Sequence, residues 1–326
     1  MFRNLVNSVS RSVPSFGRRC ISRTSQVFAK DDSQPPPSEE NKPEEPTTVC
    51  VDKDEGITII GINRPKQRNA INAATAQLIC NAFTEFENDD SSPVAVLHGL
   101  GGSFCSGYDL EELGSGENVS TELLMSPEGS VGPTRRHIKK PVVCGINGFC
   151  VANGLELALM CDLRVMEDSA ILGFFNRRFG VPIIDGASVR LPTLIGMSRA
   201  LDLILTGRQV NAKEALEMGL ANRIVASGTA LGQAMNLAQS IAKFPQGALN
   251  HDRNSLYSAV YDAQSFNQSI QNEIMYTSSE MLEELKEGVK KFNEGHGRSG
   301  KTAGIKEKSM ADWEKSEVEL EKQSKK

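Results

Sequence analysis

The chain has 326 residues, a formal net charge of -5, and a hydrophobic share of 39% against 24% charged. This is the balance of an ordinary globular protein long enough to bury a sizeable core in one large domain with appendages. The mild acidity gives no footprint for nucleic acid, which would need a basic patch or stripe, and no apolar stretch is long enough to span a bilayer.

Residues 1–30 differ in kind from the rest. They carry Arg3, Arg11, Arg18, Arg19, Arg23 and Lys30, are rich in serine, and hold no acidic residue before Asp31. Phe2, Leu5 and Val6 line one face of a short basic helix. The pattern is that of a mitochondrial transit peptide leading to the matrix, since a secretory signal needs a continuous apolar centre. The plainer alternative is a basic tail. Residues 31–46 (DDSQPPPSEENKPEEP) are a disordered, proline-rich acidic linker with nothing to bury.

Folded sequence begins near Thr47. VCVDKDEGITIIGI reads as two strands about a tight turn at Asp54–Gly56. A helix follows over Ala73–Asn88, with Leu78, Ile79, Ala82, Phe83 and Phe86 on its apolar stripe. PVAVLHG is a short buried strand that runs into the glycine-rich GLGGSFCSGYDL. The polar stretch Gly114–Arg136 reads as a mobile loop with some helix. PVVCGING is another buried strand, NGLELALMCD an almost wholly apolar helix, and LRVM a further strand. SRALDLILTG and NAKEALEMG are helices that each stop at a glycine, and ANRIV is a candidate last strand. Residues 228–294 form successive amphipathic helices broken at Pro245. The expected division is an α/β core over 47–247, a helical C-terminal region over 248–294, and a charged flexible tail over 295–326.

Several chemistries lack support. GHGRSGKT (Gly295–Thr302) matches the phosphate-binding pattern GxxxxGK[ST], but a polar helix end precedes it where a buried strand is required. Neither HExxH nor GxSxG occurs, and the four histidines are far apart, so neither a metal nor a hydrolase triad is indicated. The seven cysteines form no CxxC pair and mostly sit in apolar runs, as buried reduced thiols do.

Two segments remain. In GGSFCSGYDL, glycines after a strand let the backbone turn sharply and approach a ligand. In PVVCGINGFCVANGLELALMCD, a strand and loop lead into a buried helix whose first-turn N–H groups lack internal acceptors. Two such turns facing each other would bind an oxygen that becomes negative during reaction. Glu156 lies in the first turn of that helix among Leu155, Leu157, Ala158 and Leu159. A carboxylate there is costly without a partner or a task. Burial raises its pKa and the helix start lowers it, leaving an acid or base usable near neutrality. Asn153-x-x-Glu156 also has the form of a capping box, in which Glu156 merely satisfies a backbone N–H. On the residues alone both readings stand.

At these residues the sequence resembles the crotonase (enoyl-CoA hydratase/isomerase) superfamily. The matching segments are INRPKQRNAIN (Ile62–Asn72), GGSFCSGYDLEEL (Gly101–Leu113), KKPVVCGINGFCVANGLELALMCDLRV (Lys139–Val165) and LTGRQVNAKEALEMGLANRIV (Leu205–Val225). The resemblance implies a crotonase-like spiral of ββα units with a C-terminal helical region, and a homotrimer or hexamer. It implies acyl-CoA thioester substrates and no cofactor beyond the coenzyme A they carry. The N–H groups of Tyr108 and Asn153 correspond to the pair that holds the thioester oxygen of an enolate, and Glu156 to the first catalytic glutamate of the hydratases. Arg64, Lys66 and Asn69 fall in the segment that lines the coenzyme A cleft, and Asp109 and Leu110 extend the oxyanion turn.

Three positions depart from the family pattern. Asn176 stands where hydratases carry a second glutamate, and an amide orients water without exchanging a proton. Asn153 replaces the usual glycine; asparagine tolerates left-handed backbone better than most residues. Tyr108 is larger than the common alanine. Asp185, in VPIIDGAS, is either a second acid–base group or the N-cap of a helix starting near Ala187. Arg177 and Arg178 are candidates for a substrate carboxylate, with surface or subunit contacts for at least one of them, because consecutive strand residues point to opposite faces. The expected reaction is enoyl-CoA hydration, with double-bond isomerisation, decarboxylation of a malonyl-type thioester and non-catalytic thioester binding as the alternatives.

Overall fold

The computed structural model describes residues 47–114 and 126–296. The transit peptide, the acidic linker, and all but the first two residues of the tail and its GxxxxGK[ST] match lie outside the described residues.

The first hairpin pairs β1 (Val49–Asp54) antiparallel with β2 (Ile57–Ile62). Glu55 and Gly56 turn it, both at positive φ (47° and 79°), which suits a two-residue hairpin loop. Strands β3 (Val94–Gly99), β4 (Val142–Ile146), β6 (Leu163–Glu167) and β9 (Arg223–Val225) add in parallel, giving a six-stranded sheet in the order β1-β2-β3-β4-β6-β9. The short strands β5 (Phe149–Val151), β7 (Ile171–Gly173) and β8 (Gln209–Asn211) form a second sheet in the order β5-β7-β8.

Parallel strands read as unbroken apolar runs because both faces are covered. Val94, Val96, Val143 and Val165 point to one face, where α7 (Ala230–Ala242) seals them with Ala234, Met235, Leu237 and Ala238. Ala95, Leu97, Val142, Cys144 and Ile146 point to the other. There they meet α1 (Ala73–Glu87), which is N-capped by the Asn72 side chain on Thr75 N–H at 3.0 Å. Beyond the short α2 (Leu110–Gly114), they also meet α3 (Asn153–Met160), every residue of which is buried. Of the stripe expected on α1, Ile79, Ala82, Phe83 and Phe86 are buried, but Leu78 faces outward at 42% exposure. The chain thus advances in strand–strand–helix units: β4 and β5 lead into α3, and β6 and β7 lead toward α4 (Ala187–Ile195).

Helices α5 (Met197–Thr206) and α6 (Ala212–Met218) end at Gly207 and Gly219, both left-handed, as their sequence indicates. Helices α8 (Gln246–Tyr261), α9 (Phe266–Met275) and α10 (Ser279–Asn293) follow Pro245. Asp162 anchors α8 to the core, its Oδ1 accepting from Arg253 Nε at 2.8 Å and Tyr257 OH at 2.9 Å. Helices α9 and α10 bury no residue and expose Phe266, Ile274, Met275, Leu285 and Phe292.

Two expectations change here. The segment read as a mobile polar loop is buried over 129–134. Val131 enters the core, and Arg135 ties the segment to the carbonyls of Ile184 (2.9 Å) and Ser126 (2.7 Å). The stretch around Arg177 and Arg178 is a 3-10 turn (Phe175–Phe179) rather than a strand. Of the cysteines, Cys80, Cys105, Cys144, Cys150 and Cys161 are buried free thiols and Cys50 is half-buried.

Candidate active site

The glycine-rich turn after β3 is strapped to the start of α3. Cys105 N donates to Phe149 O and Val151 N to Cys105 O, both at 3.0 Å, so the turn extends the small sheet. Ile71 then bridges to Tyr108. It donates to Gly107 O at 2.8 Å and accepts from Asp109 N at 2.9 Å. This uses the groups on either side of Tyr108 and leaves the Tyr108 N–H directed away from Ile71.

Gly107 sits at φ 99°, and a Cβ there would lie 2.9 Å from Ala152 Cβ and 3.1 Å from Asn153 N. The turn and the helix start are therefore in contact. Among the described residues neither Tyr108 N–H nor Asn153 N–H makes a hydrogen bond with the chain. For Asn153 this follows from its place as the first residue of α3.

The positive φ lies at Ala152, one residue before Asn153. Ala152 has φ 53° and ψ -132°, a conformation a non-glycine residue adopts only under constraint from its surroundings. That constraint includes its own N–H, held by Gly173 O at 2.8 Å.

Glu156 is fully buried. Its Oε1 accepts from Asp185 N at 2.9 Å and Ala187 N at 3.0 Å, and its Oε2 accepts from Asn153 Nδ2 at 3.1 Å. The capping-box reading therefore fails for its own helix: Ala152 caps α3 without a side-chain bond, and the Glu156 carboxyl instead holds amides at the start of α4. Burial first, and the Asp185 carboxylate second, push its pKa up from 4.5 to about 7, against the lowering effect of the backbone N–H groups of Ala187, Asp185 and Ile184.

Asp185 is not an N-cap. Gly186 occupies that position at φ 94°, with no side-chain cap bond. The Asp185 carboxylate turns inward and is fully buried. It accepts from Ser130 N (2.7 Å), Ser130 Oγ, Thr134 Oγ1 (2.8 Å) and Asn153 Nδ2 (2.8 Å). One hydrogen of the Asn153 amide thus goes to each acid. The side-chain role of Asn153 and the contribution of Ser130 and Thr134 carry no local sequence signal.

The remaining candidates divide. Asn176, 5% exposed, donates to Val181 O at 2.9 Å, while its buried Oδ1 has no partner. The Tyr108 phenol donates to Glu112 Oε2 at 2.8 Å. Asn69 is fully buried: its Oδ1 accepts from Arg64 N and its Nδ2 donates to Leu100 O and Ser103 O, so it holds the turn rather than facing a cleft. Arg64 pairs with Asp109 at 2.8 Å, joining the same two turns. Lys66 and Leu110 are exposed. Arg177 and Arg178 are also exposed, the first bonded to Ile204 O at 3.2 Å and the second lying over the Phe175 ring at 4.4 Å. Among the described residues no cluster of His, Cys, Asp or Glu is placed to hold a metal, and no helix is long and apolar enough to cross a membrane.

The family model for enoyl-CoA hydratase/isomerase matches residues 52–298. The chain is 35% identical over 192 residues to a probable peroxisomal enoyl-CoA hydratase of Arabidopsis thaliana, a match covering 59% of this chain and 71% of that one. It is 32% identical over 189 residues to the mevalonyl-coenzyme A hydratase sidH of Aspergillus fumigatus, covering 57% and 69%. Among solved structures, an enoyl-CoA hydratase from Mycobacterium tuberculosis superposes with a TM-score of 0.69 at 33% identity, over 76% of this chain and 96% of that one.

Proposed function

The chain belongs to the enoyl-CoA hydratase/isomerase family, and from that membership we propose that Glu156 is the acid–base group of a hydratase-like enzyme acting on acyl-CoA thioesters. The observation that carries the reading is a buried carboxyl, its pKa pushed up to about 7, on the helix whose first amide, like that of Tyr108, makes no hydrogen bond among the described residues. The Tyr108 and Asn153 N–H groups hold the thioester oxygen. As negative charge gathers there in the enolate, each donor is worth about 3–4 kcal/mol of barrier.

One carboxyl can close a hydration cycle. Glu156 takes a proton from water as the oxygen bonds to C3, the electrons of the double bond move onto the thioester as enolate, and the same proton returns at C2. Asn176, standing where hydratases carry a second glutamate, supplies only its unpartnered Oδ1, an acceptor suited to orient the water and unable to exchange a proton. The same geometry moves a proton between carbons without water, so double-bond isomerisation is the second reading. It is favoured by the lack of a proton-exchanging side chain at Asn176.

Glu156→Gln is expected to lower turnover by about 10²–10⁴-fold while CoA-ester binding is retained; full activity in that variant would remove Glu156 from the mechanism. A panel of enoyl-, dienoyl- and malonyl-type CoA esters, read by mass, names the reaction. Gain of water, unchanged mass with a moved double bond, and loss of carbon dioxide are distinct outcomes, and binding without conversion would mark a thioester-binding subunit.

The same reading takes the substrate to bring its own coenzyme A, with no further cofactor and no metal. Residues 1–30 are assigned as an address to the mitochondrial matrix, to be tested by import and cleavage. A homotrimer or hexamer accords with the apolar side chains that α9 and α10 expose, and sedimentation tests it.

A further inference from the structure

The chemistry assigned to Glu156 leaves the second buried acid without a task. All four hydrogen-bond partners of the Asp185 carboxylate donate to it: Ser130 N–H, Ser130 Oγ, Thr134 Oγ1 and Asn153 Nδ2. An ionised carboxylate, which only accepts, satisfies such a set completely. Its two oxygens are thereby occupied, and the residue has no exposed surface through which to meet a substrate.

The loop around it is shaped for the purpose. Gly129 and Gly132 adopt φ 118° and 132°, and a Cβ on Gly129 would sit 3.0 Å from Asp185 Oδ1. Other charges facing the pair are Arg135 of that loop, with Nε 4.0 Å from Asp185 Oδ1, and Arg190 of α4. Arg190 donates to the carbonyls of Asp185 (3.2 Å) and Thr134 (2.6 Å). Glu156 has a weaker set of partners, two backbone amides and the other Asn153 hydrogen, with no hydroxyl.

We propose that Asp185 is a positioning residue: a fixed buried anion, moored by Ser130 and Thr134, that aims Glu156 through the shared Asn153 amide and strengthens that neighbouring carboxylate as a base. The proposal rests on the reading of Glu156 as the acid–base group. Two carboxylates fed by one amide do not ionise independently, and the one with fewer donors binds a proton the more strongly. Asn153 then serves with both halves, its backbone N–H toward the thioester and its side chain between the acids. This gives a purpose to asparagine at a position the family fills with glycine.

The test needs no substrate. Protein carrying carboxyl-labelled glutamate is titrated by carbon NMR, and the Glu156 resonance is identified by its loss in Glu156→Gln. Asp185→Asn is expected to lower the Glu156 midpoint by about one to two pH units. Ser130→Ala and Thr134→Val, which remove one hydroxyl each and weaken the hold on the anion, are expected to lower it by less. A purely structural role would lower thermal stability in these variants without moving the midpoint. A midpoint that stays in place or rises in all three overturns the proposal, and the two hydroxyl variants decide the matter if Asp185→Asn does not fold. An active Glu156→Gln enzyme would instead overturn the acid–base reading beneath it, whatever the titration gives.

Discussion

Gly107→Ala tests whether the glycine turn and the helix start act as one device. The added Cβ would lie 2.9 Å from Ala152 Cβ, 3.1 Å from Asn153 N and 3.3 Å from Val151 O. Two of these neighbours are backbone and the third is the first atom of a side chain, so none can swing aside. A residue with a Cβ at φ 99° also costs about 1–2 kcal/mol, and relieving the overlap costs about 1–3 kcal/mol more. The relief comes from parting residues 107–108 from 152–153, which separates the two free amides. Losing one donor from the reacting oxygen raises the barrier by about 3–4 kcal/mol, a fall in turnover of about 10²–10³-fold. Turnover of an enoyl-CoA that the native protein converts, measured well below the unfolding range, is compared with binding of the same ester by calorimetry. Binding rests on the whole ligand and is expected to change far less. Native turnover in a stably folded Gly107→Ala protein would refute the claim that this turn touches the reacting thioester.

Three further outcomes are expected. Between the ordinary carboxyl value of 4.5 and about 7, the folded chain holds a proton on Glu156 that the unfolded chain has released; stability therefore falls as pH rises through that window, by about 3 kcal/mol at most. Urea unfolding of native and Glu156→Gln protein at pH 5 and pH 8 measures this, and the variant should lack that component. Asn69→Ala removes the three hydrogen bonds of a buried side chain and a residue suited to φ 56°, so a loss of about 3 kcal/mol is expected in the same assay. Asp162→Asn weakens the acceptor for Arg253 and Tyr257; limited proteolysis should then cut α8–α10 faster while the Glu156 midpoint stays where it was.

What the sequence disclosed follows the range over which each signal acts. The buried strands β2, β3 and β4 are apolar runs whose character is set residue by residue, and the glycines that stop α5 and α6 act within one turn. Glu156 stood out because a carboxyl amid leucines is anomalous in any local window. Asp185 was ambiguous for the opposite reason. Asp just before a helix is an ordinary N-cap, whereas the donors that turn it inward come from Ser130 and Thr134, 55 and 51 residues away. The polarity by which Gly114–Arg136 reads as a mobile loop includes Ser130 and Thr134, the side chains that solvate this buried anion. The strain at Ala152 is invisible in an alanine and arises only because the Gly173 carbonyl and the α3 start hold the backbone between them.

The two oxygens of Glu156 are not equivalent, and this has a stereochemical consequence. Oε1 is taken by two amides from the start of α4, whereas Oε2 meets a single side-chain hydrogen. If Glu156 is the acid–base group proposed above, its proton would pass through one atom whose place is fixed from a neighbouring helix. A flat, sp2 carbon held by its carbonyl in front of such an atom would receive the proton on one face only, the face set by the oxygen that the next helix leaves to the Asn153 amide.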